Sequence, residues 1–196
     1  MKISEMNKIT RHYDKYFQQT YAIVIHPNFE AKLHVDALLY QPTKTFPFWK
    51  LATMGASDYA MLGRHTLRNR NEYMLFIDPS VDMTDKEVAS KYFEILFRTA
   101  MFPIENNCLI SFGHSLEFGD KVDGSVVGVF LDLPQAIDDL KFLFCKLSPF
   151  KKTVCLQAIP LDMQALNQLL TVGNEEFSYT YAYPENDGEP HWLFKL

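Results

Sequence analysis

No stretch of the 196 residues approaches the ~18–20 consecutive apolar residues of a membrane-spanning helix. The richest runs, ALLY at 37–40 and FLFC at 142–145, have the length of core segments. The start of the chain, MKISEMNKITRHYDKY, has no apolar segment, which predicts no secretory signal. Cysteine is scarce: Cys108, Cys145 and Cys155 are an odd set at spacings that suit neither a disulfide framework nor a zinc ribbon. They read as reduced, buried thiols of a cytoplasmic protein. Neither a P-loop nor a dinucleotide fingerprint is present, which removes the commonest nucleotide-binding classes. Internal repeats, low-complexity tracts and linkers are also missing, so one domain over 1–196 is expected. Cations are absent between Lys152 and Lys195.

What is present is ordinary for a globular chain: 47% apolar and 22% charged residues, with a formal net charge of −5. A chain of this size buries about 70% of its unfolded surface and needs no covalent staples. The charge is uneven. Residues 1–70 carry ten Lys/Arg against five Asp/Glu, whereas residues 153–196 carry one against six. Phosphate neutralisation needs cations, so nucleic acid is not an expected partner. The one basic concentration, Arg64, His65, Arg68 and Arg70, reads as a solvated loop. An acidic C-terminal third could steer a basic protein partner.

Periodicity predicts an amphipathic helix over 4–18, capped by Ser4, and strands over 22–26, 32–41, 47–54 and 72–78. Thr84 and Glu87 have capping-box spacing for a helix running to about Met101 and ended by Phe102-Pro103. A strand is expected over 107–113, then a loop or ragged hairpin, then a strand over 126–133. Pro134 could open a short helix carrying Ile137, Leu140, Phe144 and Leu147. A strand over 153–159 is ended by Pro160, and Asp162 caps a helix to about Val172. Phe177, Tyr179, Tyr181 and Tyr183 alternate with small residues, as on one strand face. With the turn chemistry at 184–188 this predicts a C-terminal β-hairpin at 175–196. The element mixture implies an α/β or α+β domain with a mixed sheet flanked by helices.

No catalytic motif is complete. Tyr59 stands where a nucleophile elbow needs glycine, so GASDY at 55–59 is not one. Ser57 and Ser111 would need His65 or His114 beside them to act as nucleophiles. His34 and Asp36 share one strand face, and a metal site would need a further histidine, His26 or His114, to join them. The set is incomplete in sequence, so no metal and no cofactor is expected. The C-terminal rings, flanked by carboxylates, suit either core packing or a partner surface in which Tyr179, Tyr181, Glu185 and Asp187 would make contact.

The stretch LHVDALLYQPTKTFPFWKLATMGASDYAM, residues 33–61, resembles the suppressor of fused family. The resemblance rests on His34-Val35-Asp36, Pro42, Thr53, Gly55, Ser57, Asp58 and Met61. EYMLFIDP at 72–79, FGH at 112–114 and AIPL at 158–161 follow in order, so it spans roughly 5–172. It implies a compact domain that binds other proteins rather than catalysing a reaction. In the bacterial single-domain branch it implies an immunity protein or antitoxin that neutralises a toxin domain. An adaptor or regulator of the same fold is the rival reading, and a small hydrolase or metal enzyme using His34, Asp36, Ser57 or His114 is a third. Oligomeric state is not legible. For the signature residues two roles are open: a latch holding the loop after the 47–54 strand, through Ser57 and Asp58 with Gly55 turning the chain, Met61 as a plug and His34 and Asp36 as anchors, or a partner-contact surface.

Overall fold

Residues 1–27, 33–61, 69–182 and 192–196 are described by the computed structural model, without the side chains of Tyr181 and Ala182. Apolar residues at helical spacing make α1 (Ile3–Phe17), which buries Ile9, Tyr13 and Phe17. Its N-cap is Lys2, with no side-chain cap, so Ser4 lies inside the first turn. Three antiparallel strands follow: β1 (Ile23–Ile25), β2 (Asp36–Tyr40) and β3 (Trp49–Met54). Next come β4 (Asn71–Ile77) and α2 (Lys86–Glu105). The hairpin β5 (Ser115–Val122) and β6 (Val126–Asp132) leads to β7 (Phe144–Ser148) and β8 (Lys151–Leu161). The chain ends with α3 (Met163–Val172), the single turn α4 (Asn174–Phe177) and β9 (Leu193–Phe194).

The nine described strands form one mixed sheet; seven follow the order β1-β2-β3-β4-β8-β6-β5, while β7 pairs with β8 and β9 with β4. Only β4–β8 and β4–β9 are parallel. One face packs on α2, through Leu39, Leu51, Leu75, Ile77, Tyr92 and Leu96. The other carries α1, against Leu38, Met74 and Phe76, and α3, against Phe130, Ile159 and Leu161. With helices on both faces, strands are buried on both sides, as β2 and β6 are throughout, apolar but for Asp36 and Asp132 at their ends.

Several local expectations are corrected. The N-cap of α2 is Asp85, whose carboxylate accepts from the Glu87 and Val88 amides, while Thr84 bonds to Asp82. Pro103 does not end α2. It sits in the last turn, where only one ladder bond is lost, and the Asn106 and Cys108 amides close the end onto Phe102 and Pro103. Residues 108–111 form no strand, whereas 115–122 do. Leu116, Phe118 and Val122 face inward, and Asp123 and Gly124, both at positive φ, turn the chain into β6. The segment after Pro134 is a 3₁₀ turn at Leu140–Leu143 followed by a strand, with Cys145 and Leu147 buried and Phe144 exposed. Pro160 lies within β8, because β8 pairs with β4 only as far as Gln157 and, among the described strands, none on that side needs the missing N–H.

The C-terminal hairpin is also revised. Residues 174–177 are helical and 178–182 continue as a π-helical turn, with the Thr180 hydroxyl donating to the Glu176 carbonyl. Glu175 and Glu176 suit the N-terminal turn of a helix. Helical geometry splits the aromatic series. Phe177 is buried edge-on against Phe130, with centroids 5.5 Å apart, while Tyr179 is 67% exposed. Glu185 and Asp187 lie outside the described residues, and β9 pairs with Phe76 and Ile77 of β4.

Candidate functional site

The strand β3 ends at Met54 and the chain turns sharply at Gly55, whose φ of 125° belongs to glycine. A Cβ there would stand 2.5 Å from the His34 carbonyl oxygen. The chain then makes one 3₁₀ turn, Ala56–Asp58. Beneath this turn, fully buried at the start of β4, lies Glu72. Its Oε1 accepts from the Gly55 amide (3.1 Å), the Ser57 amide (3.1 Å) and the Ser57 hydroxyl (2.6 Å). Its Oε2 accepts from the Thr53 hydroxyl (2.6 Å), which itself accepts from the Tyr73 amide at 2.8 Å. Burial pushes the Glu72 carboxyl up and the four hydrogen bonds pull it back, with a net rise.

Three of the signature residues, Thr53, Gly55 and Ser57, therefore converge on one carboxylate. Ser57 donates its hydroxyl rather than accepting a backbone amide. Arg70 closes the turn from outside, its Nη1 donating to the Ser57 and Asp58 carbonyls at 2.8 Å each. Asp58 faces the Met1 amino group at 2.5 Å and Lys151 at 3.5 Å. Burial alone would raise the Asp58 carboxyl, but these two cations outweigh it and hold it below the usual carboxylate range. Met61 is buried, and its sulfur accepts from the Ile110 amide at 3.4 Å.

His34 and Asp36 do not reach the loop through their described side-chain contacts. Both meet His26 instead. His26 Nδ1 lies 2.7 Å and His34 Nε2 2.9 Å from the same Asp36 oxygen, Oδ1. His114 is exposed, and its described bond to Ser111 is between backbone groups. His65 lies outside the described residues. A cavity of about 670 Å³ lies between β1 and α2, walled by Ile25, His26, Ala89 and Phe93 among others. Among its described lining residues none is His34, Asp36, Ser57 or His114.

Glu72 went unsingled in sequence, and a signal for it existed. On β4 it shares a face with Met74 and Phe76, so a carboxylate stands where the pattern demands an apolar residue. Lys50 is likewise fully buried on β3, its Nζ donating to the Gln41 carbonyl at 2.7 Å, and burial pushes it down to about 8.

No family model matches the chain, and no curated protein does. Solved structures do. A putative suppressor of fused homolog from Neisseria gonorrhoeae is 11% identical, with all of both chains covered and a TM-score of 0.68. The Drosophila Suppressor of Fused is 10% identical, covering 96% of this chain and 48% of the fly protein, with a TM-score of 0.65. A structure described as the Sufu-Fu complex is 10% identical, covering 91% of this chain and 82% of the other, with a TM-score of 0.62. The chain has a suppressor-of-fused-like fold.

Proposed function

We propose that this chain is a non-catalytic protein-binding domain, and that it serves as a cytoplasmic immunity protein or antitoxin that occludes a toxin domain. The observation that carries the reading is the inward orientation of the signature. The Thr53 and Ser57 hydroxyls and the Gly55 and Ser57 amides all bind Glu72, so they brace a loop and are not presented to a substrate. Two further facts support it. One solved structure of like fold is described as a complex of Sufu with Fu. Large apolar side chains also remain exposed on the C-terminal helical segment, Leu170 on α3 at 70% and Tyr179 at 67%, beside an acidic stretch. In this reading the exposed Tyr179 makes partner contact, as do Tyr181, Glu185 and Asp187 of the same acidic segment. The free thiols of all three cysteines suit a reducing compartment, and no described helix is long and apolar enough to cross a membrane.

The test is a search of the neighbouring genes for a toxic domain, followed by coexpression of that domain with this chain; a neighbourhood without one counts against the reading. Growth should be restored, and the two proteins should elute as one complex whose stability falls with Tyr179→Ala. A chain that binds a non-toxic regulator and leaves toxicity untouched would move the reading to an adaptor of the same fold, which the Sufu-Fu likeness also favours.

A further inference from the structure

The strands β1 and β2 run antiparallel with Ile25 opposite Ala37, so the next pair outward sets His26 across from Asp36. His34, two residues before Asp36, returns to the same face. The outcome is a convergence of three ligand atoms, His26 Nδ1, His34 Nε2 and an Asp36 carboxylate oxygen, all within 4.8 Å of one another. The carboxylate is anchored, its side chain only 4% exposed, while the imidazoles are 64% and 69% exposed. Two exposed rings are thus drawn onto a single oxygen. Exposed ion pairs return only about 0–1 kcal/mol, a poor offset for ordering both rings.

We propose that His26, His34 and Asp36 form a binding site for a divalent transition-metal ion of the zinc class, with solvent in the remaining coordination position. Two imidazoles and a carboxylate are borderline donors that suit zinc, and three protein ligands leave a tetrahedral ion open on one side. At metal–ligand distances of about 2.0–2.1 Å, tetrahedral ligand atoms stand about 3.3 Å apart. The nitrogens at 2.7 and 2.9 Å from Asp36 Oδ1 need to move out by about half an ångström, and the two nitrogens, within 4.8 Å of each other, need to settle at the same tetrahedral spacing, which exposed rings can do. The backbone is braced for this: the carbonyl of His34 packs against Gly55, so the signature turn holds the strand end that carries two of the three ligands. None of the three cysteines takes part. The site stands independently of the protein-binding reading and adds an ion to it.

The experiment is calorimetric titration of Zn²⁺ into the full, untagged, chelator-stripped chain, with the visible spectrum of the Co²⁺-loaded protein as a second readout. One ion per chain is expected, with nitrogen–oxygen tetrahedral bands for Co²⁺ and a melting temperature that rises with zinc. His26→Ala and His34→Ala should each weaken binding at least about tenfold. The double variant should abolish the zinc-dependent rise while melting cooperatively, since both side chains are exposed. Absence of saturable binding, or one-ion binding that survives in the folded double variant, would overturn the assignment.

Discussion

If Glu72 is the keystone of the signature turn, removing one of its donors should cost more than a surface hydrogen bond does. Ser57→Ala deletes a 2.6 Å hydroxyl bond to a fully buried carboxylate and leaves Oε1 with its two amide donors. Hydrogen bonds to charged groups contribute about 1.5–3 kcal/mol, so a loss of about 2 kcal/mol is expected. Thr53→Val preserves shape but removes the described donor to Oε2 and strands the Tyr73 amide, which donates to the same hydroxyl. Adding about 1–3 kcal/mol for an unsatisfied buried amide brings that variant to about 3–5 kcal/mol, a large share of a typical 5–15 kcal/mol domain stability. Urea melts at pH 7 measure both. A double-mutant cycle gives the mechanism: in the Glu72→Gln background, Ser57→Ala loses only a neutral hydrogen bond, about 1 kcal/mol.

The same variant tests the electrostatics. Glu72 has a folded-state pKa raised above 4.5, so the folded protein holds its proton longer than the unfolded chain does. The associated stability is fully present below pH 4.5 and is lost as pH rises through the folded-state value. Glu72→Gln should remove that downward step. A Ser57→Ala loss under about 0.5 kcal/mol, or an equal loss in both backgrounds, would refute the keystone role.

Gly55→Ala forces a side chain into a positive-φ conformation and against the His34 carbonyl, so denaturant melts should show a loss of more than about 2 kcal/mol. Lys50, held near 8 by burial, penalises the folded state below that value; stability should rise between pH 8 and 10.5 as the folded protein sheds this proton first, and the difference between wild type and Lys50→Met should isolate that rise from the buried tyrosines and thiols. If the acidic C-terminal segment meets a basic partner, association should slow as salt rises, and Glu185→Gln/Asp187→Asn should flatten that dependence; identical salt slopes would exclude the segment from the interface.

Much of the architecture was legible because its pattern is local. The amphipathic spacing of α1, the doubly apolar β2 and β6, and the Asp162 cap of α3 all follow from period and chemistry within a few residues. The failures have a common physical source, which is that tertiary partners decide. Proline reads as a terminator at 103 and 160, yet Pro103 sits in the last turn of α2 at the loss of one ladder bond, and Pro160 lies beyond the stretch of β8 that pairs with β4. The Phe177–Tyr183 series reads as a strand face, but Phe177 has a place against Phe130 that a helical turn fills. At the candidate site, the position of Thr53, Gly55 and Ser57 was visible and their common target was not. The carboxylate that unites them lies 15 to 19 residues away in sequence, on another strand. His26 shows the same limit, since only the β1–β2 register brings it to Asp36.

This geometry separates what the signature says about fold from what it says about function. Its hydroxyls and amides are directed at an internal carboxylate, and Gly55 is fixed by the close passage of another strand. Constraints of that kind act on any chain that adopts this turn, whatever it binds. Selection for a partner must act on groups the turn leaves outside: exposed Tyr179 and Leu170, and the imidazoles of His26 and His34. Replacing those should change association or metal binding with little change in stability, since surface substitutions stay within about 0.5 kcal/mol, whereas replacing Thr53, Ser57 or Glu72 should lower stability first and binding only as a consequence. A Ser57→Ala protein that melts like the wild type but no longer binds its partner would reverse the division and place the signature at the interface.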